Sequence, residues 1–264
     1  MVPVVKAHAY GNDFLYVEDT QIDGRDRVAV ARTMCARHTG IGADGLILYR
    51  RTQRGASMQL LNADGSYSEV SGNGVRGLAA VLLDVHGFLL ADDAVIIDTD
   101  AGEKRLKLLR RDGAHWVFRA AMGRPTTPVE TTLDVLGAPL RVVTLRVGNP
   151  QCVRLETSLS EERMHRLGGA LEHHEAFPEG TNVEFAHVEN PDQVRILIWE
   201  RGVGPTMASG TGACAAAVAS AAFGGANRDV QVVSPGGTQR VEWLEDGLYL
   251  TGWAEVVMRG EWAL

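Results

Sequence analysis

The chain has 264 residues, 22% of them charged, and a formal net charge of −7. That balance excludes a general nucleic-acid binder, because phosphate binding rests on clustered Lys and Arg. The longest apolar run, Leu78–Leu83, is cut by Asp84, His86 and Gly87, far short of the roughly 18 residues of a membrane-spanning helix.

Met1–Ala9 has no basic stretch followed by an apolar one, so no signal peptide is expected. Strands are predicted at Pro3–His8, Phe14–Glu18, Leu46–Tyr49, Ser57–Leu61, Val95–Asp98, Glu103–Arg110 and His115–Ala120. Between them, Arg25–His38 carries Val28, Ala31 and Cys35 at helical spacing and stops at Gly40. Gly72–His86 reads as a second, mostly apolar helix ended by Gly87. Gly123–Glu130, with two prolines and little apolar content, is the expected domain link.

After the link the pattern restarts. Arg141–Val147, Cys152–Glu156, Asn182–Val188 and Val194–Trp199 read as strands. Leu159–Leu171 reads as a helix with a capping box at Ser158-x-x-Glu161. Gly210–Phe223 reads as another, again closed by glycine, and strands then run to the C-terminus. Strand runs with isolated helices are not a βαβ alternation, so an α+β architecture of mostly antiparallel sheet is expected.

Cys35, Cys152 and Cys214 are odd in number, widely spaced and without a CxxC, which argues against a disulfide framework and a zinc site. No HExxH or comparable spacing suggests any other metal. Nothing marks Lys6, Lys104 or Lys107 as a Schiff-base lysine, so any amino-acid chemistry is expected to need no cofactor. Gly40-Ile-Gly-Ala-Asp-Gly45 satisfies G-x-G-x-x-G but follows a helix and enters a strand, the reverse of the dinucleotide-binding context.

One internal similarity carries the functional argument. Ser71-Gly-Asn-Gly and Ser209-Gly-Thr-Gly each precede a small-residue apolar helix, one on each side of the link. A weaker echo pairs Phe14–Glu18 with Phe185–Glu189. Taken singly, each S-G-x-G is an ordinary helix cap. Together they imply two related halves facing each other. Helix N-termini favour anions, and glycines there let a ligand approach the backbone. A pseudo-symmetric pair of acid/base groups suits inversion of a carbon centre, where one face loses a proton and the other gains one.

The sequence resembles the diaminopimelate epimerase family over nearly its whole length. The resemblance rests on Gly11-Asn-Asp-Phe14, Gly40–Gly45, Asn62-Ala-Asp-Gly-Ser66, Gly72-Asn-Gly74, Gly148-Asn-Pro150, Gly180-Thr-Asn182, Glu200-Arg-Gly-Val-Gly204 and Gly210-Thr-Gly-Ala-Cys214. It implies two pseudo-symmetric domains of antiparallel sheet around a central helix, residues 1–114 with 255–264 and residues 115–254, with a ligand cleft between them. The implied activity is cofactor-independent interconversion of LL- and meso-2,6-diaminopimelate on the lysine and peptidoglycan pathway, by a cytoplasmic homodimer.

The resemblance also implies roles. Gly72 with Asn73 and Gly210 with Thr211 would hold the reacting α-carboxylate. Asn12, Asn62, Asn149, Asn182 and Arg201 would bind substrate, mostly at its distal end, with Glu200 against the acid/base pair. The family carries a Cys before each Gly-x-Gly, where this chain has Ser71 and Ser209. It has His where Gln151 stands and Glu where Pro205 stands. Four joint departures point to a natural lineage rather than an engineered pair of serines. Two readings follow: an epimerase with activity reduced by the serines, or an inactive epimerase-fold protein that binds a diamino-diacid or another amino acid.

Overall fold

The computed structural model describes residues 1–88 and 93–263. The chain divides into two compact units, Met1–Ala120 with Gly252–Leu264, and Ala121–Thr251. Leu264, the last residue of the expected first domain, lies outside the described residues. The expected boundaries at 114 and 254 fall at the edge of one strand and inside another, while the segment expected to link the domains, Gly123–Glu130, lies inside the second unit, where Thr126 N–H donates to the Arg146 carbonyl at 3.0 Å.

In the first unit the elements are β1 (Val2–Ala9), β2 (Asn12–Glu18), α1 (Arg27–Cys35), β3 (Gly45–Arg51), β4 (Gly55–Asn62), β5 (Tyr67–Ser68), α2 (Gly72–Asp84), β6 (Ala94–Thr99), β7 (Gly102–Asp112) and β8 (His115–Gly123), whose last three residues belong to the second unit. The second unit has β9 (Val129–Val135), β10 (Ala138–Val147), β11 (Asn149–Leu155), α3 (Glu161–Glu172), β12 (Asn182–Asn190), β13 (Gln193–Glu200), β14 (Gly204–Thr206), α4 (Gly210–Ala219), β15 (Asp229–Ser234), β16 (Gly237–Trp243) and β17 (Leu248–Trp262). The later part of β17 belongs to the first unit, where it pairs with β1 from Val2↔Trp262 to His8↔Glu255.

The pairing repeats strand for strand. β1–β2 is antiparallel and β2–β3 parallel; β10–β11 is antiparallel and β11–β12 parallel. β4–β5 is antiparallel and β4–β6 parallel; β13–β14 is antiparallel and β13–β15 parallel. Each unit therefore contains two parallel strand–helix–strand crossovers within a sheet that is mostly antiparallel, as expected; the correction is to the expectation that no βαβ unit is present. The physical reason is burial. β2 and β3 are covered on both faces and read as apolar runs, which hides the crossover from a search for alternation. The echo of Phe14–Glu18 in Phe185–Glu189 is also corrected, because the first lies in β2 and the second in β12, whose counterpart is β3.

Each unit has an outer and an inner helix. In α1, Val30, Ala31, Met34 and Cys35 pack on Leu15, Leu46 and Leu61, and Asp26 caps the helix through Val28 and Ala29 N–H. In α3, Met164, Leu167 and Leu171 pack on Cys152, Val183 and Phe185. Its cap is Ser160, which accepts from Arg163 N–H, and not the expected Ser158. The inner helices are buried almost all round: Asn73–Leu82 in α2, and nearly every residue of α4, where a run of alanines lets strands approach from every side. α4 then continues into a π-helical turn, Ser220–Gly224, and ends at Gly225 with φ +80°.

Gly77 sets how closely α2 meets its sheet. The Tyr16 hydroxyl donates to the Gly74 carbonyl at 3.0 Å, and a Cβ on Gly77 would collide with that hydroxyl. Tyr16 is fully buried and has no room to retreat. Gly77→Ala should therefore cost about 1–3 kcal/mol of stability by overpacking, read as a lowered denaturation midpoint. Adding Tyr16→Phe removes the clashing oxygen and should recover part of the loss; equal midpoints for the single variant and the wild type would contradict this account.

Candidate functional site

Two half-sites are described, one in each unit. In the first, Ser71 caps α2, accepting from Gly74 N–H at 3.1 Å. Val75 N–H starts the helical ladder on the Ser71 carbonyl, so the first-turn N–H groups at Gly72 and Asn73 point out of the helix end. Gly74 has no space for a side chain, since a Cβ would lie 2.7 Å from Ile47. Asn73 is buried and its Nδ2 donates to Asn12 Oδ1 at 3.3 Å. Asn12 Nδ2 in turn donates to Asp44 at 2.8 Å. Arg76, almost wholly buried, donates to Asn73 Oδ1 at 3.3 Å and stacks over Tyr10.

Asn12 is thus held by an ionic lattice. Asp13 pairs with Lys6 at 2.7 Å and with Arg37 at 3.0 Å, and Arg37 also pairs with Asp44 at 2.7 Å. Burial works to raise the Asp13 carboxyl, but the hydrogen bonds and charges of Lys6 and Arg37 outweigh it and hold it below the usual carboxylate range. Asn62 is not drawn into this set. It is exposed at the end of β4 and its Nδ2 donates to Ser66 Oγ at 3.0 Å within its own turn.

In the second half-site, Ser209 caps α4, accepting from Gly212 N–H at 3.2 Å. Its hydroxyl donates to Glu200, at the end of β13. Burial pushes the Glu200 carboxyl up, and the Ser209 hydrogen bond offsets part of that rise. Gln151 is 1% exposed and lies among Asn149, Asn182, Thr211 and Glu184. Asn182 Oδ1 accepts from the Arg201 backbone N–H at 2.9 Å. The Arg201 side chain is exposed, with Nη1 donating to the Glu179 carbonyl at 2.9 Å. Pro205 lies exposed in β14, opposite Trp199.

The structure therefore bonds Asn12 to Asn73 in the first turn of α2, links Gln151, Asn149, Asn182 and Thr211 beside the first turn of α4, and sets Glu200 on Ser209. Glu184, Asp44 and Arg76 were not singled out from the sequence. A glutamate set between Val183 and Phe185 inside a strand was the available signal for Glu184. The three cysteines are buried, and burial pushes the Cys35 thiol up to about 12. Among the described residues no His, Cys, Asp and Glu cluster has the arrangement of a metal site, and no helix is long and apolar enough to cross a membrane.

The Asp13 lattice carries a pH signature. Its folded-state pKa lies below the unfolded value, so its contribution is present above about pH 4 and is lost as pH falls through the lowered native pKa. Asp13→Asn should cost about 2 kcal/mol at neutral pH, the scale of hydrogen bonds to charged groups. The gap between variant and wild type in denaturation curves should shrink as pH falls through the lowered native pKa of Asp13; a gap that stays constant into acid would contradict the assignment.

With this geometry in hand, comparison with known proteins gives a family. The family model described as diaminopimelate epimerase matches residues 4–128 and 143–261. The diaminopimelate epimerase of Desulforudis audaxviator is 39% identical over 97% of this chain and 98% of its own length. That of Desulfitobacterium hafniense is 36% identical over 97% and 96%. Among solved structures, a predicted epimerase from Pseudomonas aeruginosa superposes with a TM-score of 0.72 at 16% identity, covering 100% of both chains. A hydroxyproline epimerase from Agrobacterium vitis gives 0.67 at 16% identity over 98% of this chain and 90% of its own. At that identity the structural likeness speaks for the epimerase fold alone.

Proposed function

The chain belongs to the diaminopimelate epimerase family and is an isomerase of lysine biosynthesis; on that premise we propose that Ser71 and Ser209 serve its two proton transfers, with Glu200 taking the proton at Ser209. The observation that carries this reading is the Ser209 hydroxyl. It accepts from Gly212 N–H and donates to Glu200, the orientation in which a carboxylate activates a hydroxyl. The carboxyl raised by burial is closer to neutral pH than an ordinary glutamate, which suits a general base.

The chemistry is a two-base inversion of the diaminopimelate α-carbon. One group removes the α-proton and the other returns a proton to the opposite face. First-turn N–H groups at Gly72–Asn73 and Gly210–Thr211 hold the α-carboxylate and stabilise charge that builds on it in the transition state. That stabilisation replaces a cofactor. Asn12, Asn62, Asn149, Asn182 and Arg201 bind the rest of the substrate, and the protein works as a cytoplasmic homodimer, as its family descent supports.

The two half-reactions are unequal. Among the described residues, the hydrogen bond at the Ser71 side chain is its own cap to Gly74, with no carboxylate partner like Glu200. A thiol has a reference pKa near 8.5, whereas a serine hydroxyl is several units less acidic. Each unit corresponds to about 1.4 kcal/mol, so proton transfer at Ser71 limits turnover. Gln151 and Pro205 supply no ionisable group to compensate.

Exchange of the α-hydrogen of diaminopimelate in D₂O tests this. The unmodified protein should exchange slowly, with a rate that rises with pH as Glu200 ionises. Glu200→Gln should abolish it. Ser71→Cys with Ser209→Cys should raise exchange by orders of magnitude, and each single change much less, because the pair acts as a unit. Binding without exchange in every one of these variants would identify a binding protein and end the catalytic reading.

Arg201 provides a separate test. A guanidinium fork matches a carboxylate bidentately. Arg201→Ala should weaken diaminopimelate binding tenfold or more, on the order of 1.4 kcal/mol. Unchanged affinity in a calorimetric titration would remove the distal-clamp role.

A further inference from the structure

We propose that Glu184, a buried glutamate of β12, is a positioning residue that fixes the Gln151 amide and, through it, the orientation of Asn149, Asn182 and Thr211. This deepens the substrate-binding reading above and rests on it for its functional consequence, though not for its geometry.

Glu184 has no solvent exposure and stands against the first turn of α4, where a Cβ on Gly212 would lie 2.6 Å from its Oε1. Both of its carboxylate oxygens face one end of the Gln151 amide, at 3.0 and 3.2 Å. The other end is decided by Asn182. Because Asn182 Oδ1 accepts from Arg201 N–H, its Nδ2 must point at Gln151. An amide presenting Nε2 there would set donor against donor, even though that orientation allows a 2.6 Å bond from Nε2 to Asn149 Oδ1.

Turned the other way, Gln151 Nε2 donates to Glu184, and Oε1 accepts from Asn182 Nδ2 and Thr211 Oγ1, each at 3.2 Å. Asn149 then turns its own amide to donate. The result is a directed chain: Arg201 N–H to Asn182, Asn182 to Gln151, Gln151 to Glu184. Each of these three donors has an acceptor, as buried polar groups require.

Glu184 stands where its surroundings disfavour a charge. The charged group it faces is Glu200, of like sign, and the titratable Cys152 thiol on the adjacent strand is fully buried. Burial, then Glu200, push its carboxyl well up. Glutamine keeps an acceptor oxygen at this position and should substitute, whereas an apolar side chain keeps none.

The experiment compares wild type, Glu184→Gln and Glu184→Leu as full-length chains. The first readout needs no ligand: NMR hydrogen exchange of the side-chain amides of Gln151 and Asn182. These should be protected in wild type and Glu184→Gln, and lose protection at least tenfold in Glu184→Leu. The second readout is kinetic: KM for diaminopimelate should rise about tenfold in Glu184→Leu, with kcat changed less, and Glu184→Gln should restore it. If Glu184→Leu does not fold, Gln151→Leu severs the same chain and should expose the Asn182 amide in the same way. Protection unchanged in the leucine variants would overturn the proposal outright. Lost protection with unchanged KM would leave the orienting chain standing and overturn its link to substrate binding.

Discussion

The end of a buried helix is an electrostatic problem that the whole structure is arranged around. α2 and α4 are enclosed on nearly all sides, so the N–H groups of their first turns cannot be left to bulk water as on a surface helix. In each, a serine takes the third of those donors and glycines leave the rest uncovered by side chains. What remains is a dipole end with directed donors and no counter-charge of its own. A carboxylate is the natural occupant. The small residues of both helices, the Tyr16 hydroxyl against Gly77 and the carboxyl of Glu184 against Gly212 all serve to place these ends.

Much of this was legible in the sequence because it is carried by residues with few alternatives. Two S-G-x-G segments before alanine-rich runs announce two capped, buried helices, and the structure caps both with those serines. The crossovers were not legible, because strands buried on both faces lose the alternation that marks a sheet edge from its core. The Phe14 and Phe185 echo misled for the same reason: apolar strands of equal length look alike wherever they fall in the order. The better echo was in the turns. Gly11 and Gly148 both take positive φ, +86° and +76°, and each delivers an asparagine to the start of the equivalent strands β2 and β11.

The polar residues behind the site were harder to see than those in it. Asp44 and Asp13 lie in glycine-rich segments that read as turns, and their lattice with Lys6 and Arg37 forms only when β2, β3 and the end of α1 meet. Glu184 occupies a strand position that alternation assigns to one face without saying that the face is inside. Local pattern gives direction along an element. It does not give what the opposite element presents.

The repeat also frames what differs between the halves. Ser71 and Ser209 hold equivalent caps, but the fourth strand of the first unit ends in Asn62, exposed and bonded to its own turn, while the corresponding strand of the second ends in Glu200, half-buried and bonded to Ser209. The two units thus share the capped helix ends and differ in what stands beside the capping serine. A carboxyl is a workable base where burial brings its pKa toward neutrality, and a hydroxyl beside it needs only to relay. A hydroxyl without such a neighbour must reach its anion alone. Among the described residues, the serine-capped helix end is therefore built twice, and a carboxyl bonded to the capping serine is found at Ser209 and not at Ser71.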